Sequence, residues 1–92
     1  MFAGFDQIMV SQRIHKKHPE IEDEDVITAW RNAVAIRNRT YSPPDYYAAA
    51  GADSKGRMLE MLGVELEDGT VNIFHAMKLQ DGTRKELGTV WE

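Results

Sequence analysis

Three side chains able to act on a phosphate or a proton fall within residues 51–79, namely Arg57, His75 and Lys78. An arginine fork and a lysine ammonium can hold a phosphate and stabilise charge that develops on it. A histidine can pass a proton, because it titrates near neutral pH. Such a trio fits cleavage of RNA without a metal. The alternative interpretation makes Arg57 and Lys78 solvated strand ends and His75 a hydrogen-bonded core residue; from residue types alone it is the commoner case.

A second group of candidates precedes this stretch. Arg37 and Arg39 share one face of a predicted strand, and Tyr46 and Tyr47 follow after a loop. Basic and aromatic groups on neighbouring strands can hold single-stranded RNA, which makes Arg37, Arg39 and Tyr47 candidate substrate-binding residues. A merely exposed strand face is the favoured alternative, because no base-recognition pattern is present.

Other chemistries find little support in the sequence. His15 and His18 lie three apart, but no carboxylate spacing accompanies them, so we expect surface histidines and no metal site. No serine lies in a G-x-S-x-G elbow. The glycines at 51 and 56 lack the Lys-Ser/Thr pair of a phosphate-binding loop. We therefore expect no cofactor.

The elements that must position these residues follow from periodicity. Helices are predicted over residues 5–17, with Asp6 as N-cap, and over residues 21–35, where Val26, Ile27, Trp30 and Val34 form an apolar stripe expected in the core. Strands are predicted over residues 34–40, 46–51, 57–67 and 70–79, a loop over 42–45, and one helical turn over 83–88 that ends at Gly88.

The turn Asp68-Gly69 is the strongest hairpin signal and sets a register. Counting outward from it, Leu62 lies near His75, and Arg57 comes within reach of Lys78. Alternation also predicts that His75 shares one strand face with Val71, Ile73, Met77 and Leu79. The sequence thus predicts one α+β domain over residues 1–92. Two N-terminal helices would pack on one face of an antiparallel sheet of about four strands.

Composition limits location and ligands. The chain has no cysteine, which suits a reducing cytoplasm. It has no apolar run of about 18 residues, and no basic segment precedes an apolar run at its start, so we expect neither a membrane span nor a signal peptide. Residues 1–40 are neutral, and the net charge of −4 therefore lies in residues 41–92. A nucleic acid could bind only at a locally basic patch.

A longer pattern resembles a known family. G-x-D-x-x-G-R-x-L-E over residues 51–60, then a hairpin, then I-F-H-A-M over 73–77 and E-L-G over 86–88, resembles the small bacterial BrnT-like toxins of the RelE-like group. The Lys17-His18 pair before an acidic helix is also similar. The resemblance implies a compact α+β fold and a cytoplasmic toxin that cleaves RNA without a metal. It assigns functional positions to His18, Arg57 and Lys78, and His75 stands where many of these toxins carry a small polar residue. Our hypothesis is that Arg57 and Lys78 bind the scissile phosphate and that His75 or His18 is the acid or base.

The resemblance also implies partners: a small antitoxin protein, and RNA or the ribosome. We expect a monomer or a homodimer. On this hypothesis Arg57→Ala relieves growth arrest without unfolding the chain. The alternative hypothesis is a non-enzymatic protein-binding module on the same fold, whose acidic C-terminal half meets a basic partner and whose sheet edge accepts a peptide strand.

Overall fold

A five-stranded mixed sheet is the centre of the computed structural model, which describes residues 7–39 and 45–88. The elements in chain order are β1 (Gln7–Val10), α1 (Arg13–Lys17), α2 (Asp23–Arg31), β2 (Ala35–Asn38), β3 (Tyr46–Ala52), β4 (Met58–Glu65), β5 (Thr70–Lys78) and α3 (Asp81–Leu87). The sheet order is β1-β5-β4-β3-β2; β1 pairs with β5 in parallel, and the other neighbours are antiparallel. The α+β class is confirmed. The four-stranded antiparallel sheet is wrong, because β1 adds a parallel fifth strand.

The helix predicted over residues 5–17 is wrong in its described first half. Gln7–Val10 is a strand, and only Arg13–Lys17 is helical; Asp6, the expected N-cap, lies outside the described residues. Ile8 and Val10 pack on the core while Met9 is exposed, which is the alternation of a strand. The pairing that selects this strand lies more than sixty residues away in β5.

Helix α2 forms where its acidic first turn and apolar stripe predict. The Glu22 backbone N–H donates to Asp25 Oδ2 at 2.9 Å as part of a reciprocal capping box. Val26 and Trp30 are buried, as expected, but Val34 is 57 % exposed and its place in the core stripe is wrong. The helix ends at Arg31, and Val34 already donates its backbone N–H to Ala50 as the chain turns into β2.

The four predicted strands correspond to β2–β5, with ends shifted by one or two residues. In the Asp68-Gly69 turn, Gly69 has a φ of 88°, which favours glycine. The pairing of Leu62 with His75 is confirmed. Directly after it, however, Gly63 pairs with Ile73, so Phe74 is an extra residue in a β-bulge.

The bulge changes which face His75 occupies. Val71 and Ile73 are buried on the side of α2, and so is Ala76 beyond the bulge. His75 instead lies on the opposite face of the sheet, where it bonds to Glu60. The prediction that His75 shares a face with Val71 and Ile73 is therefore wrong, since one inserted residue reverses the alternation.

Helices cover both faces of the sheet, not one. Helix α2 packs on β3 and β4 so closely that a Cβ at Gly51 would lie 2.1 Å from the Ala29 carbonyl oxygen. Helix α3 contacts β2 and β3 on the other face, and it begins two residues before the predicted helical turn. Gly88, at its end, has a φ of 111°. Most of the loop predicted over residues 42–45 lies outside the described residues. Within residues 7–39 and 45–88, no helix is long and apolar enough to cross a membrane.

Candidate active site

A concave cleft lies where α1 packs beside β5, beyond the point where β1 ends. It has a volume of about 150 Å³ and is lined by Arg13, Ile14, Lys17, His18, Leu62, Phe74, His75 and Ala76. We call it the edge cleft. A liquid water molecule occupies about 30 Å³, so this space suits a small group such as a phosphodiester. Two of the predicted site residues, His18 and His75, meet here.

Helical spacing explains the α1 side of the edge cleft. Residues four apart lie one above the other on a helix, which places Arg13 over Lys17 and Ile14 over His18. Ile14 is 2 % exposed and anchors the helix in the core. Because Ile14 points inward, the adjacent Arg13–Lys17 row runs along the cleft and presents two cations to it.

A buried carboxylate orients His75 on the β5 side. His75 Nε2 lies 2.9 Å from Glu60 Oε2, and the Gln80 backbone N–H donates to Glu60 Oε1 at 3.0 Å. The Glu60 side chain is 11 % exposed. With Nε2–H donated to this carboxylate, neutral His75 keeps its lone pair on Nδ1.

His18 is held more loosely. It ends α1 as the C-cap residue, and its Nδ1 lies 3.7 Å from Glu20 Oε2. This separation is an ion-pair distance and is too long for a hydrogen bond. The edge cleft thus contains one firmly oriented imidazole and one loosely held imidazole.

Arg57 lies elsewhere and is engaged by two buried carboxylates. Its Nε donates to Asp53 Oδ2 at 2.6 Å, and its Nη2 donates to Asp25 Oδ2 at 3.1 Å. Lys55 Nζ also donates to both Asp25 oxygens at 2.9 Å, and Ser54 Oγ donates to Asp25 at 2.8 Å. We call this group, Asp25 with residues 53–57, the loop anchor. It fastens the β3–β4 turn to the first turn of α2.

Electrostatics fit a structural role for the loop anchor. Burial alone would raise the pKa of Asp25, but the hydrogen bonds from the Glu22 backbone, Lys55 and Ser54 outweigh it and lower that pKa to about 2. Burial likewise opposes the ionisation of Asp53, and bonds from the backbone and side chain of Arg57 lower its pKa. Both carboxylates are therefore ionised, and their negative charge compensates the positive charge of Arg57 within the fold.

Lys78 does not join His75 either. It pairs with Leu59 on the α2 side of the sheet, and with Arg57 it lines a different cleft of about 470 Å³. We call this the second cleft. The predicted trio is thus divided: His75 lines the edge cleft, while Arg57 and Lys78 line the second cleft.

The predicted binding group of Arg37, Arg39 and Tyr47 is not assembled. Arg39 makes a bidentate pair with Glu86 of α3, and Arg37 Nη1 donates to the Glu86 carbonyl at 3.2 Å. Tyr47 lies on the other face of the sheet, where its hydroxyl donates to Glu65 at 3.2 Å. The arginines therefore hold α3 against the sheet.

Sequence reasoning missed Arg13 and Lys17 as cleft residues and Glu60 as the partner of His75. A signal for the first two was present, because Arg13, Ile14, Lys17 and His18 form two adjacent rows with a spacing of four. A signal for Glu60 was present as well, because the predicted register pairs His75 with Leu62, and Glu60 lies two residues from Leu62 on the same strand face. Within the part of the chain that the structure describes, no group of three His, Cys, Asp or Glu side chains could hold a metal ion.

No family model, curated protein or solved structure matches this chain. The resemblance to BrnT-like and RelE-like toxins stays a prediction. Several positions that carry that resemblance have structural roles here. Gly51 has no side chain and so lets α2 pack closely on β3, and Gly56 has a φ of 81°, which favours glycine. Asp53 and Arg57 belong to the loop anchor.

Proposed function

We propose that the protein is a metal-independent endoribonuclease whose active site is the edge cleft. The observation that carries the proposal is the convergence of two histidines, His18 and His75, with the cations Arg13 and Lys17 on one small concave surface. Cleavage of RNA next to its own 2′-hydroxyl needs one base, one acid and positive charge beside the phosphate. The edge cleft contains all three kinds of group.

The chemistry assigns the histidines separate roles. His75 Nδ1 accepts the proton of the ribose 2′-hydroxyl while Glu60 holds the ring through Nε2. The 2′-oxygen bonds to phosphorus, and the bond between phosphorus and the 5′-oxygen breaks. Protonated His18 donates its proton to that leaving oxygen. The products are a 2′,3′-cyclic phosphate and a free 5′-hydroxyl, and charge on the phosphoryl oxygens is met by Arg13 and Lys17.

The local charge at the edge cleft supports this proposal, although the whole chain is acidic. Arg13 and Lys17 are exposed on α1, within the neutral first forty residues. They provide the kind of local basic patch that an acidic chain needs to hold a phosphate backbone. We extend the proposal to a toxin of a toxin–antitoxin pair that acts in the cytoplasm and is neutralised by a small antitoxin protein.

The test is cleavage of a single-stranded RNA with EDTA present. We expect His75→Ala and His18→Ala each to lower the rate by at least about hundredfold, because each removes a proton-transfer group. His15→Ala is the matched control: His15 bonds to Asp23 and the Ile21 carbonyl, outside the edge cleft. The proposal fails if the wild-type protein does not cleave RNA, or if all three variants behave alike.

A protein-binding module is the second candidate. Met9, Asn72, Val64 and Tyr46 are successive partners across four strands on the face away from α2. Met9 is 52 % exposed and Tyr46 is 39 % exposed, which leaves apolar surface for a partner. Met9→Lys should then abolish co-purification of a partner, with His75→Ala as the control that keeps it. Retention of the partner by Met9→Lys would exclude this face.

A further inference from the structure

The second cleft combines exposed cations with an apolar wall. Lys78 ends β5 and Arg84 lies on α3, and both side chains are exposed. The wall between them includes Ile21, Leu59 and Leu79, which are buried or nearly so. A volume of about 470 Å³ is within the range of small-ligand sites. Such a surface suits a ligand with an anionic end and a flat apolar end.

The other charges around this cleft are already engaged. Arg57 bonds to Asp53 and Asp25, so its charge is compensated from behind. Glu20 also lines the second cleft, and its exposed carboxylate lies 3.7 Å from His18 Nδ1. The Gln80 side chain donates to the backbone carbonyl of Lys78, but within residues 7–39 and 45–88 the side chains of Lys78 and Arg84 make no hydrogen bond or ion pair. These two cations are therefore available to an anion.

The two clefts are neighbours along one strand. Ala76 lines the edge cleft and Lys78 lines the second cleft, two residues further along β5. Two strand residues span about 6.6 Å. A stacked nucleic-acid strand advances by about 3.4 Å per nucleotide, so this step corresponds to about two nucleotides. An RNA strand that occupies both clefts passes from the face of His75 to the face of Lys78, around the part of β5 that β1 leaves unpaired.

We propose that the second cleft binds a nucleotide of the RNA substrate, with its phosphate on Lys78 and Arg84 and its base against the wall of Ile21, Leu59 and Leu79. The inference rests on the proposed function, because the bound nucleotide belongs to the strand cleaved in the edge cleft. It assigns Lys78 to substrate affinity and removes it from the chemical step.

Binding is tested first by titrating the isotope-labelled protein with adenosine 5′-monophosphate and recording its amide shifts by NMR. Amide shifts are expected at residues 56–59 and 78–84. The double variant Lys78→Gln, Arg84→Gln should lose about tenfold or more in affinity, since charge-assisted hydrogen bonds to the phosphate are lost. Lys85→Gln is the matched control, because Lys85 is exposed on α3 and does not line the cleft. Equal affinity in the double variant and the wild type, or an equal loss in Lys85→Gln, would overturn the inference.

Cleavage then separates affinity from chemistry. The double variant should cleave a ribodinucleotide at the wild-type rate, because that substrate fills only the edge cleft. On a longer RNA its KM should rise about tenfold while kcat is unchanged. Equal losses on both substrates would contradict the assignment. If the wild-type protein cleaves neither RNA, the proposed function fails, and the nucleotide-binding result decides the second cleft by itself.

Discussion

The loop anchor and the edge cleft contain the same kinds of residue in opposite arrangements. In the loop anchor, the cations Arg57 and Lys55 bond to Asp25 and Asp53, which are 1 % and 5 % exposed. In the edge cleft, Arg13 and Lys17 face an open surface. A cation bonded to a buried carboxylate stabilises the fold, whereas a cation on a concave surface can meet a substrate. The difference lies in the partners and not in the residue types.

The largest expected effect is on the loop anchor. Asp25→Ala removes the acceptor shared by the Glu22 N–H, Ser54, Lys55 and Arg57. We expect the free energy of unfolding to fall by about 3 kcal/mol, measured by urea denaturation. Glu24→Ala, an exposed change in the same helical turn, should cost less than about 0.5 kcal/mol. Equal effects would show that the loop anchor does not carry stability.

Substitutions in the edge cleft should lower the rate of RNA cleavage and leave the stability of the fold unchanged. Glu60→Gln keeps an acceptor for the Gln80 N–H but can donate its amide to His75 Nε2, which moves the ring proton to Nδ1. Because that tautomer cannot take the 2′-hydroxyl proton, we expect kcat for RNA cleavage to fall about hundredfold.

Thermal melting and KM provide the check on Glu60→Gln. Both should stay near the wild-type values, since a positioning role affects the reaction and not the fold. A fall in melting temperature that accounts for the lost activity would assign Glu60 a structural role and make the two regions alike.

Acid should weaken the loop anchor. The pKa of Asp25 is lowered from 3.8 to about 2 in the folded state, because its hydrogen bonds outweigh the cost of burial. Stabilisation from this group is therefore present above pH 3.8 and is lost as pH falls toward 2. It amounts to about 2 kcal/mol. Unfolding curves of the wild type and of Asp25→Asn should converge in acid. If the difference in free energy of unfolding between the wild type and Asp25→Asn is the same at pH 5 and at pH 2, Asp25 is not the group that loses its stabilisation in acid.

The smallest expected effect is the contribution of His15, which lies outside the edge cleft, to the stability of the fold. The bonds from His15 to Asp23 and to the Ile21 carbonyl raise its pKa. A raised folded pKa stabilises the protein fully below pH 6.5, and this stabilisation is lost as pH rises through the folded value. His15→Ala should lower stability more at pH 5.5 than at pH 9, by a difference of less than about 1 kcal/mol, because neutral His15 keeps its bond to the Ile21 carbonyl but loses its ion pair with Asp23. Melting temperatures at the two pH values decide it; a loss that is equal at both would refute the charge assignment.

The sequence predicts the parts of the fold that local signals specify. Asp68-Gly69 identifies the hairpin, and the acidic turn before Val26 identifies α2. Strand β1 could not be predicted in this way, because four residues become a strand only by pairing with β5. The bulge at Phe74 carries no local signal either; it lies opposite the junction of Leu62 and Gly63, where a Cβ at Gly63 would lie 2.9 Å from Val71 and 3.1 Å from Trp30.

Residue types identified half of the candidate site. His18 and His75 were named and do share a cleft, but Arg57 was named for a charge that Asp25 and Asp53 already use. Asp25 lies 32 residues before Arg57, so chain proximity could not reveal the pairing. The expectation that Arg57→Ala leaves the fold intact now becomes a prediction of lost stability, because two buried carboxylates would lose a donor.

The central claim is that chemistry belongs to the edge cleft and stability to the loop anchor. It is tested most directly by the initial rate of cleavage of one RNA by His75→Gln and Arg57→Gln, measured side by side below the melting temperature of both. We predict a loss of at least about hundredfold for His75→Gln and a rate within about threefold of wild type for folded Arg57→Gln. A folded Arg57→Gln that loses as much activity as His75→Gln would contradict the account.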